Sequence, residues 1–233
     1  SKRGVDLSLS LARLDHLVDE PFTRIGLSAT LRPLETVAAY LSGVDEGGAA
    51  RPCTIVDAGT RASLDIEVMS PVDNLLDAEF DAIWGSAYAQ MAEMVRQHTT
   101  TLIFHNSRYK TERTALRLNE GTTGDPLRVG AHHGSMSKRV RLAVENDLKD
   151  GVLDAVVATA SLELGIDVGS IDLVCQVQSP KSISSGMQRV GRAGHLLDAV
   201  SKGRLIATDI DDIVESAALV RAMLAGELDT VRI

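Results

Sequence analysis

The sequence is poor in aromatics and cysteine, and it has no long apolar run. Phe, Trp and Tyr make up 3% of 233 residues, which disfavours an aromatic platform as the main way of binding bases. Its two cysteines, Cys53 and Cys175, each sit beside apolar neighbours. They can make neither a disulfide scaffold nor a cysteine-based zinc site, and they suit a reducing cytosol. Uninterrupted apolar runs are only a few residues long, as in Ala155-Val156-Val157-Ala158, too short to span a bilayer. The start, Ser1-Lys2-Arg3-Gly4-Val5-Asp6, lacks the apolar stretch of a secretory signal. A cytoplasmic protein with no membrane partner is expected. Without a repeat, this length holds one large α/β domain, or one domain and part of a neighbour.

The net charge of −8 is unevenly distributed. From Thr99 to His195 there are 12 Lys and Arg against 10 Asp and Glu, whereas the remainder has 12 against 22. Four of the six histidines fall in the same central block. A polyanion can therefore engage one face of the molecule despite the acidic total.

Apolar spacing alternates between helical and strand periods. Helices are predicted through Leu7, Leu11, Leu14 and Val18, and after Pro33 through Leu34, Val37 and Leu41. A short strand is predicted at Arg24–Leu27, and Val44–Pro52 reads as a linker. Strands are expected at Cys53–Val56 and Leu64–Val68, then a long helix burying Trp84, Met91 and Val95. Strands at 101–104, 129–131, 155–158, 173–177 and 205–208 then alternate with helices or a short helical turn. This pattern predicts an α/β fold, a mostly parallel sheet with helices on both faces.

In such sheets ligands bind beyond the carboxyl ends of the strands. The polar clusters fall there: His105-Asn106-Ser107-Arg108, His132-His133-Gly134-Ser135, Thr159-Ala160-Ser161 and Gln178-Ser179, with Gln188 to His195 one short helix further on. All are expected to share one edge. Asn106 and Ser107 can equally cap the next helix. Adjacent His132 and His133 point to opposite faces and have no Cys or carboxylate at ligand spacing, so no metal site is expected. In Val190-Gly191-Arg192-Ala193-Gly194-His195, arginine can grip phosphate with a planar fork where glycines allow close approach; a glycine-rich helix end is the competing explanation.

The order of these clusters resembles that of superfamily 2 helicases. Ser28-Ala29-Thr30 is similar to motif III and Thr101–Arg108 to motif IV, while His132–Ser135 is similar to a nucleic-acid-contacting segment. Val157 to Val168 resembles motif V and Gln188 to His195 resembles motif VI. The wording, including a motif VI that ends in Gly-His, is similar to the large helicase-related (Lhr) family. The resemblance implies a RecA-like helicase C-terminal domain of the P-loop NTPase type. Residues 1–45 would be the tail of a first RecA-like domain, 46–52 a linker and 53–233 the second RecA-like domain.

It also implies residue roles. Arg192 would be the arginine finger, Gln188 would contact phosphate or position water, and Gly165 and Asp167 would lie near the ribose. Arg189 would either assist or only pair with a carboxylate. Ser107, Arg108, His133, Gly134, Ser135 and Thr159 would follow the backbone of single-stranded DNA or RNA, and Ser28, Ala29 and Thr30 would couple the domains. His195 stands where related motifs often have a second arginine. ATP with Mg²⁺ is the implied cofactor, and 3′-to-5′ unwinding of DNA or RNA:DNA duplexes the implied activity. The sequence contains no Walker A Gly-Lys-Ser/Thr, and Asp19-Glu20 follows a helix rather than a strand. A first RecA-like domain of the same parent chain is thus the expected partner, and this chain alone is expected to be inactive as an ATPase. The alternative is a non-catalytic module that binds nucleic acid or protein.

Overall fold

The computed structural model describes residues 2–20, 22–28, 30–45, 47–57, 63–121, 124–163, 169–194 and 200–230. The chain divides into two compact units, Ser1–Thr60 with Leu228–Ile233, and Arg61–Glu227.

The first unit holds α1 (Lys2–Leu17) and α2 (Leu34–Ser42). Asp15 takes both Arg24, at 2.9 Å, and Arg51, and Arg24 also donates to the carbonyls of Leu41 and Ser42 that end α2. The strands expected at Arg24–Leu27 and Cys53–Val56 do not form. A strand needs a ladder partner, and among the described residues neither segment has one. Leu27 and Val56 are accordingly 95% and 86% exposed.

The second unit is a six-stranded, wholly parallel sheet in the order β1-β6-β5-β2-β4-β3. Its strands are β1 (Leu64–Met69), β2 (Thr101–Phe104), β3 (Val129–His132), β4 (Ala155–Ala158), β5 (Leu173–Val177) and β6 (Ser201–Ile206). Helices α3 (Phe80–Arg96), α4 (Arg108–Asn119), α5 (Lys138–Lys149), α6 (Ile183–Val190) and α7 (Ile210–Ala225) flank it. Strand side chains alternate between faces, so the central strands feed two cores. Ile103, Val157, Leu173 and Cys175 pack with Trp84, Met91 and Val95 of α3. Leu102, Phe104, Val156 and Val174 pack with Leu148 of α5, Leu162 and Ala193. Double-sided burial explains why these strands read as continuous apolar runs.

The last strand was expected at Leu205–Thr208 but runs over Ser201–Ile206. Its polar start hides it from an apolar pattern. Arg204 is used across the ladder, pairing with Asp65 of β1 at 3.2 Å. At Gly203 an added Cβ would come within 2.8 Å of Val190.

Candidate functional site

Parallel strands place their carboxyl ends together, and the first four polar clusters meet there as expected. The end of motif VI does not. After β5, α6 runs back along the strand for about 12 Å, at 1.5 Å per residue. Ala193 then bridges Ile171, two residues before β5 begins. One edge therefore holds the candidate nucleic-acid groups, and a returning helix carries the motif VI groups away from it.

At the edge, buried and exposed groups do different work. His105 is fully buried beneath Trp84, its Nε2 at 2.9 Å from Thr114 Oγ1, and burial pushes its pKa down to about 3. It is a neutral core residue. His132 is equally buried, between Ser161 Oγ and Glu145 Oε1, each at 2.8 Å; burial lowers its pKa against the opposing pull of Glu145. Its neighbour His133 turns elsewhere, to Glu112 Oε1 at 2.7 Å, while its Nδ1 accepts the Ser135 N–H at 3.3 Å. That acceptor role places the His133 proton on Nε2. The two rings diverge, His132 at the end of β3 toward Glu145 of α5 and His133 just past the strand toward Glu112 of α4. Among the described residues no group of three His, Cys, Asp or Glu could hold a metal ion.

Arg108, Gly134 and Ser135 are exposed, and Arg108 Nη1 donates to Ser135 Oγ at 2.6 Å. The first turn of α4 thus meets the turn after β3. Ser107 is the N-cap of α4 but makes no side-chain capping bond. Thr159 opens the turn after β4, its N–H donating to His132 O at 3.2 Å. Neither Ser107 nor Asn106 therefore supplies a side-chain cap to α4. Asn106 instead bonds Ser179 O at 2.7 Å and accepts from Arg189 Nη1 at 3.1 Å.

At the end of α6 the two arginines separate. Arg189 is 5% exposed and is taken up by Glu163 at 3.1 Å, Gln176 at 2.7 Å, Asn106 and the Phe104 ring. Of the two roles open to it, the geometry is that of the carboxylate partner. Arg192 is half-buried, and its Nη2 donates to Glu163 O at 2.7 Å. Burial draws its pKa down while Glu163 pulls it up; a guanidinium stays charged throughout. Gln188 is half-buried on the same helix. The two glycines serve the local turn: a Cβ on Gly191 would meet Met187 O at 2.8 Å, and Gly194 takes φ +80° against Ser201.

Gly165, Asp167 and His195 lie outside the described residues, as does Ala29. Of the proposed coupling residues, Thr30 is buried and its N–H donates to Ser28 Oγ at 3.2 Å. Glu163, which gathers both arginines, was missed by sequence reasoning. Its one signal is a lone acid within Ser161–Leu164.

A model of the helicase conserved C-terminal domain matches residues 86–196. The chain is 46% identical, over its whole length, to the ATP-dependent helicase Lhr-Core of Methanothermobacter thermautotrophicus, covering 27% of that protein. It is 40% identical to the Lhr helicase and probable uracil glycosylase of Mycolicibacterium smegmatis, covering 17%. The chain belongs to the Lhr helicase family. The solved Mycobacterium smegmatis helicase Lhr, bound to ssDNA and AMP-PNP, superposes on all of the chain with a TM-score of 0.92 at 45% identity. The match takes in 30% of that structure, so the chain spans between 17% and 30% of the length of these relatives. The helicase MrfA shares the fold, with a TM-score of 0.67 at 21% identity.

Proposed function

We propose that this chain is the second RecA-like domain of an ATP-dependent helicase, residues 53–233, preceded by the tail of a first such domain (1–45) and a linker (46–52). The observation that carries this is the placement of Arg192, a permanent charge held half-buried just beyond α6 by a main-chain carbonyl. Such a group fits the equatorial oxygens of a γ-phosphate, where charge develops during transfer. Gln188 orients phosphate or water beside it. Asp167 and Gly165 serve the ribose, and Arg189 holds α6 in place. Mg²⁺, which neutralises charge between phosphates, would be held by the nucleotide and by carboxylates of the first domain.

Nucleic acid would lie along the carboxyl edge. Arg108, Ser107, Ser135, the Gly134 backbone and Thr159 offer hydroxyls, N–H groups and a guanidinium, which hold phosphate without reading bases. His133 fixes Ser135 rather than presenting its own ring. Ser28-Ala29-Thr30 would couple the two domains, and 3′-to-5′ unwinding of DNA or RNA:DNA is the reaction in the whole protein. The aligned Lhr helicase bound to ssDNA and AMP-PNP supports both ligand classes.

The test is Arg192→Ala in the full-length protein. Loss of ssDNA-stimulated ATP turnover by about 10³-fold or more, the range of arginine fingers, is expected, with ssDNA still bound. Wild-type turnover would favour the non-catalytic binding module.

A further inference from the structure

Ser185 and Arg189 are four residues apart and so share one face of α6, and Arg192 follows in the turn just past the helix end. All three converge on one residue of another element. Glu163 Oε1 accepts from Ser185 Oγ at 2.9 Å. Its Oε2 accepts from Arg189 Nε at 3.2 Å and Nη2 at 3.1 Å, and its main-chain oxygen accepts from Arg192 Nη2 at 2.7 Å. The Glu163 side chain is only 12% exposed. It follows the 3-10 turn Ala160–Leu162, and its N–H closes that turn on Ala160 O at 3.1 Å. The same turn starts at Thr159, on the carboxyl edge.

We infer that Glu163 is a positioning residue for Arg192. Its carboxylate fixes the rotation and height of α6 through Ser185 in the first turn and Arg189 in the last. Its carbonyl then receives the guanidinium beyond the helix end. An arginine side chain has many rotamers and loses freedom when it acts from a single place. A catalytic charge needs placement to within about 0.5 Å, which a supporting shell supplies. Glu163 is one member of that shell, joined to Arg192 through its main-chain oxygen. A carboxylate can serve Arg189 and Ser185 together because it accepts on both oxygens. The inference rests on the reading of Arg192 as the finger.

The test is steady-state ATP turnover by the full-length protein at saturating ssDNA. The variants are Glu163→Ala, Glu163→Gln, Arg192→Ala and the double Glu163→Ala/Arg192→Ala. Glu163→Ala is expected to lower kcat about 10- to 100-fold, the cost of a misplaced catalytic group, with KM for ATP moving less than about threefold. Glu163→Gln keeps the length and one acceptor oxygen and should recover most of kcat. The double variant should be no slower than Arg192→Ala, since interacting residues are not additive. Wild-type kcat in Glu163→Ala, or losses that multiply in the double, would overturn the role of Glu163 while leaving the finger standing. Full activity in Arg192→Ala would overturn both. If Glu163→Ala does not fold, Ser185→Ala carries the question. It removes one anchor of α6 and should lower kcat several-fold at unchanged melting temperature, and a wild-type kcat there would sink the proposal.

Discussion

Arg189 and Arg192 lie three residues apart, yet the last turn of α6 and the turn beyond it treat the same side chain differently. Arg189 is enclosed by a carboxylate, two amide oxygens and an aromatic face. Arg192, half-buried, rests on a carbonyl. Enclosure spends the Arg189 donors on protein partners. Arg192 donates from Nη2 to the main-chain carbonyl of Glu163 and is only half-buried, so it is less enclosed than Arg189. The carboxyl edge repeats the contrast, with His105 and His132 walled in and Arg108 and Ser135 open. The same residue types occur at both kinds of position, and burial separates the enclosed groups from the open ones.

The comparison breaks most visibly at Arg189. Arg189→Ala leaves Glu163 buried without its cation, a change that costs about 3–5 kcal/mol. A chemical-denaturation midpoint that does not fall would show that the enclosure carries no stability. Arg192→Ala should lower that midpoint less than Arg189→Ala does, because Arg192 is half-buried where Arg189 is enclosed.

Acid sharpens the same contrast at the edge. The folded pKa of His105, about 3, lies below its ordinary 6.5. Only the unfolded chain gains this proton between those values. Stability is therefore undiminished by His105 above about pH 6.5, falls as pH drops toward about 3 by up to about 1.4 kcal/mol per unit, and levels off below. His105→Leu should flatten that part of the profile, measured by denaturation across pH; an unchanged slope would clear His105 of the effect. The smallest effect belongs to the open groups. Arg108→Ala should weaken single-strand binding equally for all sequences and reduce the slope of log K against log salt by about 0.7 per lost phosphate contact. A sequence-dependent loss would contradict backbone holding.

Much of this was readable beforehand where burial is symmetrical. β2, β4 and β5 are covered on both faces, so their apolar runs announce strands, and parallel order then brings the polar residues after β2, β3, β4 and β5 to one edge. Reading failed where a neighbour decides the outcome. Arg24–Leu27 has strand residues but no ladder partner, and Ser201-Lys202-Gly203-Arg204 looks like a loop until Asp65 of β1 is placed beside Arg204. The return of motif VI to Ile171 depends on the length of α6 against β5, which residue types do not state. Glu163 acquires meaning only once α6 presents Ser185 and both arginines to it.

The central claim is that Arg192 completes a nucleotide site whose other half is a separate domain. It is tested most directly by ATP turnover, with and without single-stranded DNA, for this 233-residue chain and for a longer one extended upstream through a Walker A loop. The account predicts no turnover by the short chain and DNA-stimulated turnover by the long one. Turnover by the short chain would contradict it, since a complete nucleotide site would then lie within these residues.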